Sequence, residues 1–223
     1  MNNSFDNQWN ESYGNGKQLN EFPFMDFVSF YFNNFKNSTT KLNILEVGCG
    51  AGNNLEFLAQ KGHNVYGLDA SEKVIEHAKQ KFSKKNISGN FIVSEFTDLP
   101  YEENFFDLII NRAAICHTDI QNANLAMNEC NRVIDSNGIF YSTFFSNFNT
   151  FKGNKLNFGF YDSLEEGFHN VGVLKFYNIF EITKLFEKNN FNIQKIYLSD
   201  KKDMTETPIQ IHSEWIIHAN KNK

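Results

Sequence analysis

Apolar and polar positions alternate with two different periods along this chain. The run KLNILEV reads as a buried strand ending at Glu46. NNLEFLAQKG follows with helical spacing and stops at Gly62. HNVYGLD is a second strand, ending at Asp69. SEKVIEHAKQKFSKK opens on Ser71, an N-cap residue type, and places Val74, Ile75 and Ala78 on one helix face. FIVSEF and FFDLIINR are a third and a fourth strand. IQNANLAMNECNRVID reads as a helix that ends near the turn Ser136-Asn137-Gly138, ahead of the strand IFYSTFF. Strand and helix in strict alternation predict a parallel sheet covered on both faces by helices.

The pattern changes toward both ends. YNIFEITKLFEKNN predicts a helix, NFNIQKIYLSD a strand and EWIIHAN a last strand. Residues 147–177 between them are rich in Gly, Asn and aromatics and carry no strong period, so an irregular insertion over the sheet's carboxyl edge is expected. At the other end, MNNSFDNQWNESYGNGKQLNE predicts a loop or short-helix lid. A helix from about Pro23 to Phe35 follows, with proline suited to its first turn. The expected division is residues 1–36 as lid and helix and 37–223 as one domain.

Composition narrows the function classes. The 223 residues suit a single domain of the larger sort. A net charge of −5 argues against nucleic acid as a partner, because phosphate binding needs a basic face. Cys49, Cys116 and Cys130 form no close pair and no metal-ligand spacing, which predicts reduced thiols, no metal and a cytoplasmic setting. The N-terminus lacks a basic-then-apolar leader, and no segment approaches the ~18 apolar residues of a membrane span. A monomer or homodimer is expected.

The candidate chemistry starts at ILEVGCGAGNN, residues 44–54, where Gly48, Gly50 and Gly52 alternate. Such a turn between a strand and a helix lets backbone approach a ligand closely. The pattern E-x-G-x-G-x-G is one residue shorter at its third glycine than the dinucleotide fingerprint. Asp69, ending the second strand, is placed to accept hydrogen bonds from both hydroxyls of a ribose. Glu46 before the loop would repel a pyrophosphate and attract an ammonium. A ligand with adenosine at one end and a cationic amino-acid arm at the other satisfies both: S-adenosylmethionine.

ILEVGCGAGNN, VYGLDAS, VSEFTDLPYEENFFDLII and NRVIDSNGIFYST, in that order, resemble the successive motifs of the class I S-adenosylmethionine-dependent methyltransferases. The likeness covers roughly residues 40–145, and EWIIHANK resembles the family's last strand. It implies an α/β, Rossmann-like sheet of seven strands with helices on both faces and the last strand antiparallel between the fifth and sixth. An N-terminal lid and an insertion after strand five complete that expectation. By the same resemblance Glu46 faces the methionyl moiety and Asp69 the ribose. Glu95 in EFTDLP stands where the family commonly has the Asp that reads the adenine amino group, and Phe96 offers backbone and ring to the adenine. Trp9 and Tyr13 resemble an aromatic lid. The expected cofactor set is Trp9, Tyr13, Glu46, Gly48, Cys49, Gly50, Asn53, Asp69, Ala70, Glu95, Phe96 and Asn111. Asn111 and Arg112 should floor the sulfonium site, with the Arg112 guanidinium turned away into an ion pair.

Methyl transfer is an in-line displacement, so the enzyme's task is alignment in a dry pocket. His117, at the place where the family often carries a histidine, and His169 in the insertion are the candidate bases. His212 and His218 are expected to be structural or surface residues. The acceptor should lie between Tyr13, His117 and the insertion bearing Tyr161, His169 and Tyr177. N-R-A-A after the fourth strand is not the N-P-P-Y type used on nucleic-acid amines, and no basic stretch interleaved with aromatics occurs. The insertion loosely resembles that of bacterial methyltransferases acting on sugars of surface polysaccharides. The leading expectation is O-methylation of a small polar metabolite, a sugar or nucleotide-activated precursor. Glu165 and Glu166 keep a small amine open as the alternative acceptor, and a non-catalytic S-adenosylmethionine-binding subunit stays open too. A nicotinamide oxidoreductase is disfavoured by the glycine spacing.

Overall fold

A computed structural model describes residues 7–36, 39–150, 153–162 and 172–222. The chain opens with helices α1 (Gln8–Gly14) and α2 (Met25–Phe35), then enters β1 (Asn43–Val47). Helix α3 (Asn53–Gln60), β2 (Asn64–Asp69), α4 (Glu72–Lys84), β3 (Asn90–Val93) and β4 (Phe106–Arg112) follow. Helix α5 (Ile120–Val133) runs straight into β5 (Ile134–Phe145). Three short strands come next, β6 (Asn154–Lys155), β7 (Phe160–Asp162) and β8 (Leu174–Lys175). Helix α6 (Ile179–Lys188) and the long strands β9 (Phe191–Asp203) and β10 (Gln210–Lys221) complete the chain.

The main sheet has the order β3-β2-β1-β4-β5-β10-β9. β1 pairs in parallel with β2 and β4, whereas β10 is antiparallel to both β5 and β9. This is the seven-stranded arrangement expected from the sequence. Alternation in β1 sends Ile44 to one face and Leu45 to the other, and each joins its own apolar cluster. A central strand buried on both faces needs helices on both sides. The chain winds outward from β1 to β3 and then restarts at β4 on the other side, so the loops after β1 and β4 part and open a crevice.

Several local expectations are corrected. α2 starts at Met25, with Pro23 ahead of it and Phe24 extended as its cap residue. The Phe24 amide donates to Asn54 Oδ1 at 3.1 Å, tying the helix entry to α3 instead of leaving it to the proline. Ser71 sits at the cap of α4, but its hydroxyl makes no capping bond; it donates to Asn10 Oδ1 of α1 at 2.5 Å. The expected turn before the fifth strand is a bulge within it. Ile134 pairs with Phe106 and Ile139 with Leu108, leaving residues 135–138 looped out around Asp135, whose Oδ1 accepts the Asn137 amide at 2.9 Å. The third strand stops at Val93, short of the Ser94–Phe96 segment that leaves the sheet. The insertion is not wholly irregular, because β6, β7 and β8 form a small antiparallel sheet. Strands of two or three residues are too short to print a period on the sequence. Among the described residues no helix is long and apolar enough to cross a membrane.

Candidate active site

A cavity of about 400 Å³ runs along the carboxyl edge of the sheet, within the range of small-molecule sites. Every strand of the sheet, or the segment that follows it, contributes. Glu95 and Phe96 after β3, Asp69 and Ala70 at β2, and Glu46 of β1 wall one half; Arg112, Phe145, His212, Glu214 and Lys201 wall the other. The loop after β1 is shaped by its glycines: Gly48, Gly50 and Gly52 have φ of 63°, 51° and 69°, a region that L side chains rarely adopt. A Cβ at Gly48 would also collide with that of Ala114 in the loop after β4, so the two loops can approach only with glycine there. Cys49 lines the cavity too. Burial, then the charges of Asp69 and Glu46, pushes its thiol far above the ordinary value, so it packs and does not react.

Two carboxyl groups face this half with their hydrogen bonding arranged differently. Asp69 is gripped by backbone: the Ser71 amide donates to Oδ1 at 3.0 Å and the Gly50 amide to Oδ2 at 3.1 Å. Burial raises its pKa to about 6, with those two amides working against the rise. Glu46 is buried, and its Oε1 accepts from Asn54 Nδ2 at 2.7 Å. No described donor reaches Oε2. Burial lifts the Glu46 carboxyl to about 8, against the Asn54 bond and the charge of Arg112. A buried carboxylate oxygen without a donor costs free energy until a cation or donor arrives. The donor set therefore fits a ligand with an ammonium near Glu46 and hydroxyls near Asp69.

The arm and the neighbouring loops cover this ledge. Trp9 and Tyr13 of α1 line the cavity, with ring centroids 5.5 Å apart, and Trp9 meets the His117 ring edge-on at 5.0 Å. Burial, then Asp69 and Cys49, holds the Tyr13 hydroxyl well above its ordinary pKa, so it stays neutral. Asn53 reaches the cavity while its Nδ2 donates to the Phe22 carbonyl at 2.7 Å. The loop bearing Glu95 and Phe96 is pinned at Ser94, whose amide donates to the Asp69 carbonyl at 3.1 Å. Its far end is pinned at Leu99, whose amide donates to Glu129 Oε2 at 2.8 Å.

Asn111 is not among the cavity-lining residues, which corrects its expected place. Its side chain is fully buried. Nδ2 donates to Ser142 Oγ at 2.7 Å, and Oδ1 accepts the Ile115 amide at 3.1 Å. Asn111 thus builds the tight turn after β4, through Ala113 at φ 57°, that presents Ala114 and His117 to the cavity. Arg112 turns its guanidinium to Glu214 Oε1 at 2.9 Å and to Thr143 Oγ1 at 3.2 Å, with the Phe24 ring 4.1 Å away. The ion pair expected of it is present.

The far half differs most from expectation. Tyr161 and Tyr177 do not line the cavity. Tyr161 packs edge-on against Phe176, and Tyr177 is buried against Phe144. His169, Glu165 and Glu166 lie outside the described residues. The strands β9 and β10 supply the wall instead, through Lys201, His212 and Glu214. His212, expected to be structural or surface, puts its Nε2 2.9 Å from Glu214 Oε1. His218 is structural: it packs edge-on against Phe30 at 4.6 Å, and burial, then Lys195, lowers its pKa to about 4. The missed signal was the alternation His212-x-Glu214, which puts both side chains on one strand face. Using it required the register of β10 on β5, a pairing across about seventy residues of chain. Among the described residues no cluster of His, Cys, Asp and Glu could hold a metal ion.

Three comparisons place this geometry among known proteins. Residues 45–142 match the family model described as a methyltransferase domain. The ubiquinone biosynthesis O-methyltransferase of Mesorhizobium japonicum is 32% identical over 100 residues, 45% of this chain and 39% of that protein. An uncharacterized methyltransferase of Bacillus cereus is 24% identical over 96% of this chain and 95% of its own length. The Burkholderia thailandensis 1,6-didemethyltoxoflavin-N1-methyltransferase, solved with bound 1,6-didemethyltoxoflavin and S-adenosylhomocysteine, superposes with a TM-score of 0.71 at 14% identity. That superposition covers 96% of this chain and 86% of the other. The chain spans about two fifths of the length of the ubiquinone-pathway relatives it matches. Residues 45–142 are thus a methyltransferase domain, carried on the class I S-adenosylmethionine-dependent methyltransferase fold.

Proposed function

We propose that this protein transfers the methyl group of S-adenosylmethionine to a hydroxyl of a small polar metabolite, with a sugar or nucleotide-activated precursor as the leading acceptor class. The observation that carries the reading is Glu46, a buried carboxyl at the cavity wall with one oxygen bonded to Asn54 and the other reached by no described donor. An α-ammonium beside it would meet that oxygen and restore its charge. On this reading Asp69 takes the ribose hydroxyls, Glu95 and Phe96 the adenine, and Gly48, Cys49, Gly50 and Ala70 the backbone-lined ledge between them. Trp9 and Tyr13 close the arm over the ligand as a lid, and Asn53 ties the loop to the segment leading out of that lid. The sulfonium supplies an electrophilic methyl carbon; the residues of this chain align the acceptor and exclude water.

The acceptor enters between Trp9, His117, Phe145 and the β9–β10 wall. The O-methyltransferase name of the Mesorhizobium relative supports a hydroxyl acceptor. A small amine is the second reading, favoured by the carboxylate of Glu214 on that wall, although Arg112 and His212 already engage it. A cytoplasmic enzyme acting as monomer or homodimer accords with this reading. The test is mass spectrometry of molecules retained by the purified protein, followed by transfer of labelled methyl to sugars, phenols and amines. Retained S-adenosylmethionine or S-adenosylhomocysteine with label on a hydroxyl supports the proposal. Retained nicotinamide cofactor overturns it, and label found on amines alone moves the function to the second reading.

A further inference from the structure

The far wall of the cavity holds a cation that no described residue neutralises. Strands β9 and β10 run on past Phe145, the last residue of β5, so Lys201 and His212 pair beyond the end of that strand. Alternation puts Lys201 on the same sheet face as His212 and Glu214, and all three line the cavity. The acids around Lys201 are engaged elsewhere. Glu214, its diagonal neighbour across the ladder, has Oε1 2.9 Å from the Arg112 guanidinium and 2.9 Å from His212 Nε2. Asp200 Oδ1 accepts from Ser213 Oγ at 2.6 Å, and Asp203 Oδ1 accepts the Thr205 amide at 2.8 Å. Among the described residues no ion pair or hydrogen bond reaches the Lys201 ammonium.

A lysine ammonium that lines a ligand cavity without a counter-ion is matched by an anion on the ligand. The methionyl carboxylate of the cofactor does not supply it. That carboxylate sits one carbon from the ammonium, which the reading above places at Glu46 of β1. In the sheet β9 stands four strands away from β1, roughly 19 Å at the usual strand spacing. The anion therefore belongs to the acceptor. We propose that Lys201 is the specificity-determining residue of the acceptor site, and that the acceptor is a hydroxyl compound carrying an oxyanion, a carboxylate or a phosphate. This rests on the S-adenosylmethionine reading of the cavity. Within the acceptor class proposed above, a phosphorylated or nucleotide-activated sugar meets the requirement and a neutral sugar does not. The acceptor lies with its hydroxyl toward Trp9 and His117 and its oxyanion toward β9. Lys201 thus touches the remote end of the acceptor and no reacting atom, so it sets KM more than kcat. A polyamine would bring further positive charge against Lys201 and Arg112 and is disfavoured by that repulsion.

The experiment uses the full chain loaded with S-adenosylhomocysteine and two pairs of probes that share a hydroxyl but differ in charge. The carboxylate pair is 3,4-dihydroxybenzoate against catechol, and the phosphate pair is D-glucose 6-phosphate against D-glucose. Titration calorimetry should show at least one anionic probe binding about tenfold or more tightly than its neutral parent, the scale of one charge-assisted hydrogen bond. The pair that responds tells carboxylate from phosphate. The preference should shrink as added salt cuts the screening length from ~30 Å at 0.01 M to ~8 Å at 0.15 M. Lys201→Met, which keeps the apolar stem, should abolish it, and Lys201→Arg should retain it. With labelled S-adenosylmethionine, Lys201→Met should raise KM for the responding probe about tenfold while kcat stays within about threefold. The S-adenosylhomocysteine affinity of both variants should stay within about threefold of wild type, short of the tenfold that marks a lost charged contact. The proposal is overturned if neither anionic probe binds better than its parent, or if Lys201→Met keeps the preference. A tenfold loss of S-adenosylhomocysteine affinity in Lys201→Met overturns it too, by assigning the lysine to the cofactor's own carboxylate. With no turnover of a bound probe, the binding preference and its loss decide. If wild type fails to bind S-adenosylhomocysteine, the cofactor reading falls and not merely the acceptor class.

Discussion

At Glu46 the folded chain buries a carboxyl whose Oε1 is held by Asn54 and whose Oε2 no described donor reaches. The folded chain keeps that proton up to about pH 8, whereas an ordinary glutamate releases it near 4.5. The apoprotein therefore loses this contribution to stability as pH rises across that window. Asp69, raised to about 6, adds to the decline over the lower part of it. Glu46→Gln keeps an acceptor for Asn54 and removes the buried charge. The apo variant should melt above wild type at pH 8 by about 4 °C or more, where ~1 kcal/mol moves Tm roughly 2–4 °C, and the gain should shrink toward pH 5. Its affinity for S-adenosylhomocysteine at pH 7 should fall about tenfold or more, the cost of losing a charged hydrogen bond. Calorimetric melting and titration check both halves. A variant that binds normally would show that Glu46 is only a destabilised carboxyl at the end of a strand.

Helices and strands were legible where one face is apolar over two turns or more. Val74, Ile75 and Ala78 of α4 are all buried, as their spacing predicts. Boundaries failed where a tertiary bond decided them, as at Phe24 held by Asn54 and at Ser71 held by Asn10. The start of α6 carries a capping box that the pattern did not single out: Asn178 Oδ1 accepts the Glu181 amide at 3.0 Å, and Glu181 Oε2 accepts the Asn178 amide at 2.9 Å. Asn178→Ala should cost about 1 kcal/mol. A fall in Tm of roughly 2–4 °C is expected, with cofactor affinity unchanged. The arm tests the lid at the same scale. α1 buries only Ser12 and touches α4 through the Asn10–Ser71 bond, yet it brings Trp9 and Tyr13 to the cavity. Deleting residues 1–15 should leave a cooperatively folding chain that binds S-adenosylhomocysteine about tenfold more weakly or worse, as ~1.4 kcal/mol of lost aromatic contact requires. Unchanged affinity would make the arm incidental.

Across the whole molecule the cavity divides at the switch between β1 and β4, and the two halves differed in how far the sequence disclosed them. Glu46, Asp69, Glu95 and Phe96 each follow or end a strand within one run of about fifty residues, so local motifs placed them on one edge. The far wall is assembled from Arg112, Phe145, Lys201, His212 and Glu214, joined only through sheet order and register. The resemblance placed the last strand between the fifth and sixth, but no local pattern encodes its register, and so His212 read as a structural or surface residue and Tyr177 as an acceptor contact. Asn111 was misplaced for a related reason: its position at the strand end was right, but its three hydrogen bonds serve the turn beneath the cavity. The central claim is that the glycine loop, Glu46 and Asp69 hold S-adenosylmethionine. Isothermal titration of the purified protein with S-adenosylhomocysteine at pH 7, repeated in buffers of different ionisation enthalpy, tests it most directly. The account predicts one site and net proton release on binding, because Glu46 gives up its proton as the ammonium arrives. Absence of binding, or equally tight binding of NAD, would contradict it.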